Sequence, residues 1–417
     1  MDIISKAGDI QIEALEIISA NNRTIDVSAQ LIEINIFEDL YSEAVSGTLM
    51  LHDSFNFLIN LPITGEEQLH IRARTPSLNP SDAIDCYFSI FKVSDKIIKD
   101  RSLVYQIHFI SIEAIMDSNK AISRAFGGRI SNMITDVLRQ SIFLGTSKAI
   151  KIEETSNSCN VVPAFWSPFK LINYLTKRAL NTKQNPSFLF YETNKNYVFA
   201  STDSLLSQKP MFEYVYSESS SRQGSGTDFA AEYKKILSIK TDTLFNYLDR
   251  LQSGMFASKL TLVNPISKTI EVVSSDYITN FPNHTHLDKF PLATPSVLRN
   301  QTSNLSFETF TPFVYDNVNV KSSQWKIQRK MLLAELNAIR FEIEVNGRTD
   351  IEVGKVVSIQ MPSFTAINEG DRSSDINDTY YNGNYLVTAI NHRINLTSHR
   401  MVMEIAKDSL GVQLKDK

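Results

Sequence analysis

The densest run of chemistry-bearing side chains is Asn283-His-Thr-His-Leu-Asp288, which sets His284, His286 and Asp288 at alternate positions. Two imidazoles and a carboxylate are metal ligands by type, and alternate strand residues share a face, so the three could converge on one cation. The run sits among Pro282, Pro291, Pro295 and Pro312, in a stretch that reads as an exposed irregular loop. It lacks the distant fourth ligand that a structural zinc site needs. The expectation is therefore no metal, and three dispensable side chains. Glu66 and Glu67 could be offered as a catalytic carboxylate pair, but adjacent strand residues point to opposite faces and cannot flank one scissile bond. A turn or strand-edge role is expected for them. Cys86 and Cys159 are the only cysteines, too few for a disulfide framework or a Cys-rich metal site. Cys159 is expected to be a buried, inert thiol. No GxSxG, GxGxxG, GxxxxGK[ST] or HExxH run occurs. The expectation is a protein that is not an enzyme, with no catalytic, cofactor-binding or metal residues and no cofactor.

Side chains without chemistry leave the elements themselves to carry function. The 417 residues exceed one ordinary core and predict two to four domains. Apolar content of 42% with 21% charged residues belongs to a folded globular chain. A net charge of −4 argues against a dedicated nucleic-acid binder, which needs clustered Lys and Arg. The N-terminus has no apolar signal core, and no apolar run approaches the length of a membrane span, so a soluble protein from a reducing compartment is expected.

From about Ile10 to Ile115 the pattern is mostly β. Ile25–Val27, Ala29–Asn35, Thr48–Leu51 and Gln68–Arg72 read as short strands, and Tyr87–Lys92 with Leu103–Ser111 as a longer hairpin. Turn signals at this spacing predict a closed or nearly closed antiparallel barrel. Past Asp117 the period changes. Residues 131–143 predict a helix with Ser131 as N-cap, and Ser167-Pro168 open a second one, before two short strands in "SFLFYE" and "YVFAS". Residues 217–228, "SESSSRQGSGTD", read as a mobile linker. Strands "KILSIKTDT" and "ASKLTLVN…KTIEVVSSDY" surround a helix at "LFNYLDRLQSG"; a helix at "SQWKIQRKMLLAELNA" then leads into four more strands. Gly65 and Gly354 each precede a strand, a polar loop and a long hairpin, an echo that suggests two similar barrels.

The run "GTLMLHDSFN…GEEQLHI" resembles the first barrel of the central baseplate hub protein of T-even-type contractile phages. "WSPFKLINYLTKRAL" with "SFLFYETNKNYVFASTDSLLSQKP" resembles that family's second domain. "LDRLQSGMFASKLTLVN" is similar to the entry into its second barrel. "NAIRFEIEVNGRTDIEVGKVVSIQMP" and "GNYLVTAINHRINLTSHRMVMEIA" are similar to that barrel's closing strands and terminal hairpin. The stretches run in the family's order over most of the chain, with departures at 217–228, 277–325 and 362–380.

The fold class this implies is mainly β with α+β insertions: two related antiparallel tube β-barrels plus smaller α+β domains. The expected division is 1–115 for the first barrel and 116–206 for a small α+β domain. Residues 207–276 are expected to hold a linker and the first part of the second barrel, 277–325 an irregular insertion, and 326–417 the rest of that barrel with its C-terminal hairpin. The resemblance further implies a homotrimeric ring in the baseplate of a virion tail, assembled in the host cytoplasm. Its partners would be a trimeric tail spike, tail tube or tube-initiator proteins, tape-measure protein and baseplate wedge. Six barrels would match a sixfold tube, and DNA would pass through the lumen without specific binding. The alternatives are the hub of a phage-derived injection device, a tail-associated cell-wall hydrolase, and a receptor-binding β protein.

Overall fold

The computed structural model of the chain describes residues 6–54, 63–99, 102–216, 229–293, 304–309, 322–362 and 378–414. The linker expected at 217–228 and most of the loop at 362–380 lie outside the described residues.

The first seven strands are β1 (Gln11–Ile18), β2 (Thr24–Asp26), β3 (Leu31–Asp39), β4 (Ser46–Asp53), β5 (Gln68–Arg74), β6 (Ile84–Lys99) and β7 (Ser102–Ser111). Period-two alternation explains them. On β7 Leu103, Tyr105, Ile107 and Phe109 are buried, and the residues between them are half-buried. Their inward side chains meet Leu15, Ile34, Ile36, Leu49, Ile71 and Phe88 in one core. On β3 the alternation slips by one between Leu31 and Ile34, where the register with β4 carries a bulge.

The chain then leaves the sheet. A short helix at Ile112–Asn119 precedes β8 (Phe126–Arg129), the helix Ile130–Arg139, β9 (Ala149–Ile152) and β10 (Ser158–Val161). The helix Pro168–Thr176 and the pair β11 (Phe188–Glu192) and β12 (Asn196–Ser201) follow. Ser167 caps the Pro168 helix, its hydroxyl accepting from Lys170 N at 3.4 Å, and Phe169, Leu171, Ile172 and Leu175 face inward. The helix expected from Ser131 starts one residue earlier and stops at Arg139. Ser131 is not its cap. Its own N–H is taken by the Thr155 hydroxyl at 3.2 Å, so a neighbouring segment satisfies a donor that a cap would have satisfied.

The remaining strands are β13 (Phe212–Val215), β14 (Ile236–Thr243), β15 (Ala257–Asn264), β16 (Thr269–Asp276), β17 (Asn304–Thr309), β18 (Ile339–Asn346), β19 (Val356–Gln360), β20 (Gly383–Ile394) and β21 (His399–Lys407). β15 pairs with β16 and with β17 in a separate sheet, so both its edges are filled and this hairpin stays out of the large sheet. The helix Lys326–Leu336 sends Met331, Leu332 and Leu336 into the core beneath β18, β20 and β21. Among the described residues no helix is long and apolar enough to cross a membrane.

Among the described residues thirteen strands form one sheet. Within it two runs of six have the same order of roles: β3-β4-β7-β6-β5-β1 and β14-β18-β21-β20-β19-β13. All of these pairings are antiparallel except β13 with β19. Each run curls round its own core, and the echo punctuated by Gly65 and Gly354 is thus one of architecture. Both glycines have positive φ, +99° and +80°, the backbone region that favours glycine where the chain turns into β5 and β19.

Candidate functional site

The two runs are joined by backbone hydrogen bonding. β3 pairs with β20 from Ile34↔Ile394 to Asp39↔Ala389, so one edge strand of the first run completes the second. β20 can do this because it is longer than its partner β19. Its first residues pair with β19 as far as Leu386, and from Ala389 the same edge passes to β3. Glu38 lies buried at this seam. It accepts from Asn194 N at 3.2 Å and from Val353 N at 3.2 Å, tying the α+β segment and both barrels to one carboxylate. Nearby, Glu192 accepts from Val45 N at 2.7 Å and from the Ser111 hydroxyl, and pairs with Lys148.

β6 occupies in the first run the role that β20 has in the second, and it is longer still. It pairs with β5 as far as Ser89, and beyond Ile90 that edge meets no strand among the described residues. The offset that starts the seam at Ala389 on β20 starts the open edge at Lys92 on β6. β14 occupies the role of β3 and ends the sheet, so its outer edge too meets no strand among the described residues. The registers connect the two strands. Phe37 reaches Ser89 through Ser46 and Ile110, and Thr243 reaches Leu386 through Arg340 and Ala406. Thr243 is therefore the counterpart of Phe37. Each molecule carries one closed seam and the two unmatched halves of another. Apolar side chains crowd the open halves: Phe91, Ile97 and Ile98 on β6 are 50%, 60% and 76% exposed, and Phe245 beside β14 is 67% exposed.

The residues singled out for their chemistry fall elsewhere. Glu66 is exposed, and Glu67 is buried and closes the turn before β5, accepting from Thr64 N at 3.0 Å and Gly65 N at 2.8 Å. Burial would raise its pKa, but these backbone donors outweigh it and hold the carboxyl below the usual range. Cys159 is buried with its thiol pushed up by desolvation, and burial pushes the Cys86 thiol up to about 12.

The structure corrects the exposed setting expected for His284, His286 and Asp288: the first is buried and the other two half-buried. Each faces a different partner. His284 is buried, and Asp288 pairs with the buried Lys407 at 2.8 Å. His286 Nδ1 lies 2.8 Å from Asp408 Oδ2 and 3.5 Å from Glu335 Oε1. Burial disfavours the His286 imidazolium, yet Asp408 and Glu335 together lift it to about 9. Burial raises the Glu335 carboxyl to about 8 against the opposing pull of His286. Local spacing could not reveal this trio, because Glu335 and Asp408 lie on other elements.

The whole arrangement is similar in fold to solved tail proteins. A 43 kDa tail protein of prophage MuSo2 from Shewanella oneidensis superposes with a TM-score of 0.55 at 11% identity, over 95% of this chain and 98% of that one. A tail protein from Neisseria meningitidis MC58 superposes with a TM-score of 0.54 at 10% identity, over 96% and 99%. No protein-family model matches the chain, and no curated protein matches it in sequence. The likeness read in the sequence thus holds at the level of fold.

Proposed function

We propose that the protein is the structural hub of a contractile-tail baseplate in a virion, three copies closing a ring of six barrels. The observation that supports it is the pair of open edges. Within one chain, β3 and β20 show how two of these barrels join. Between chains, β14 of one copy would add to β6 of the next with the same register, leaving neither of these two edges open in the ring. Three copies give six near-equivalent barrels for a sixfold tube on one face and threefold symmetry for a spike on the other. The lumen would pass DNA and tape-measure protein, and the mildly acidic balance suits a pore that must not grip phosphate. In this reading the chain is a structural part and not a catalyst. Its fold is equally suited to the hub of an injection device.

The test is engineered cross-linking in assembled tails. Ser94→Cys with Thr243→Cys places one thiol on each open edge. Oxidation should yield covalent trimers and nothing larger, and imaging of the same particles should count three chains about the tail axis. Absence of the cross-link in particles that contain the protein refutes the edge pairing. Any other count refutes the ring.

A further inference from the structure

We propose that His286, Glu335 and Asp408 form a buried site for a divalent transition-metal cation, which fastens three distant segments of the chain together. The donor atoms already converge: His286 Nδ1, one Glu335 oxygen and one Asp408 oxygen all lie within 4.8 Å of one another. Ligands about 2.1 Å from a shared cation stand roughly 3.0–3.4 Å apart, from octahedral to tetrahedral geometry, and the 2.8 and 3.5 Å separations from Nδ1 bracket that range.

The surroundings orient each donor. His286 Nε2 donates to the Phe281 carbonyl at 2.8 Å, which holds the ring so that Nδ1 faces the two carboxylates, and a bound cation would replace the proton Nδ1 carries without metal. The Phe281 ring stacks on the imidazole at 3.7 Å and stops it turning. Asp408 keeps its other oxygen occupied, accepting from Leu287 N at 3.2 Å and from the Ser409 hydroxyl at 2.8 Å. Glu335 is only 2% exposed, and its Oε1, aimed at the same point, makes no hydrogen bond. A buried acceptor without a donor is costly, and a cation held between Nδ1 and the two carboxyl groups would satisfy it. A cavity of about 10 Å³ opens on these three residues with Thr202 and Thr285, near the smallest space that takes one small occupant.

One imidazole with two carboxylates suits Zn²⁺, Mn²⁺ or Fe²⁺ better than thiolate-seeking or purely oxygen-seeking ions. The bound ion would tie the segment after β16, the helix Lys326–Leu336 and the chain just past β21 into one unit. Such a site contributes stability rather than reactivity. It does not depend on the ring proposed above.

The test uses the untagged full chain. Protein purified without chelator should hold one equivalent of transition metal by elemental analysis. Stripping with dipicolinate should lower the melting temperature by several degrees, and about 0.1 mM Zn²⁺ or Mn²⁺ should restore it. Glu335→Gln removes a ligand with little change of shape, and it should fold, weaken metal retention by about tenfold or more, and lose the melting response. Two results overturn the proposal. One is stripped wild type that responds to neither ion; a proton shared by the trio then takes the cation's place. The other is an equal response in wild type and Glu335→Gln, which means adventitious binding elsewhere. If Glu335→Gln fails to fold, Asp408→Asn provides the same comparison.

Discussion

Alanine at Gly354 should cost far more than alanine at Gly65, although both glycines open the same step of their barrels. Each has positive φ, so each substitution incurs about 1–2 kcal/mol of backbone strain. The surroundings differ. A Cβ at Gly65 would find its nearest atom, the Ile90 carbonyl oxygen, at 3.9 Å, whereas at Gly354 it would stand 2.0 Å from the Tyr191 hydroxyl and 2.8 Å from the ring. Tyr191 is 2% exposed and belongs to the same core as Val198, Val353 and Val356, so moving its ring to admit the methyl would disturb that packing. Overpacking of that kind adds about 1–3 kcal/mol. The expected losses are about 1–2 kcal/mol for Gly65→Ala and about 2–5 kcal/mol for Gly354→Ala. The assay is native-state hydrogen exchange at two amides that report the two places. Ile90 N bonds to the Glu67 carbonyl at 3.0 Å, and Val387 N bonds to the Lys355 carbonyl at 2.9 Å. Opening at Val387 in Gly354→Ala should rise at least about fivefold more than opening at Ile90 in Gly65→Ala, since the added overpacking is about 1 kcal/mol or more and tenfold corresponds to about 1.4 kcal/mol. Equal losses would refute the steric argument and leave only φ.

Stability should also fall in mild acid. Burial, with His392 3.1 Å away, holds His399 well below the usual histidine range. The unfolded chain therefore binds a proton that the folded one refuses, so this contribution is complete above about pH 6.5 and drains away as pH drops below it. Unfolding free energy followed from pH 7.5 downward should decline from about pH 6.5, and His399→Gln should flatten that slope; an unchanged slope removes His399 as the cause. Replacing Lys407 with Met should strand Asp288 beside the empty ammonium position, where Lys407 now also donates to the Asn382 carbonyl at 2.6 Å. The expected loss is about 3 kcal/mol in chemical denaturation, partly recovered by adding Asp288→Asn, and no recovery would mean packing rather than charge sets the cost.

The barrel strands were legible because their burial is local and periodic, as on β7, and the Ser167-Pro168 helix start was legible because its cap lies in the chain itself. β6 was read as Tyr87–Lys92 yet runs to Lys99. Beyond Ile90 it is held on one side only, so "KVSDKIIK" carries no inward-outward alternation to read. The His286 environment was illegible for another reason. Its flanking prolines describe the backbone around it correctly, but burial there comes from the helix carrying Glu335 and from Asp408, 122 residues downstream. Short-range spacing weighs only neighbours in sequence, and here the partners are neighbours only in space. Ser131 shows the same limit in a smaller way, displaced as a cap by Thr155.

The seam between β3 and β20 bears on counting. Because two barrels are already fused by a shared ladder, this polypeptide adds them to an assembly only in pairs. A ring of five or seven barrels cannot be made from it, whatever the curvature of the open edges would tolerate. For the six-barrel ring proposed above, the nearest alternatives, four or eight, would differ by a whole chain. Fusion thus acts as a parity check on assembly, one that separate single-barrel subunits would lack.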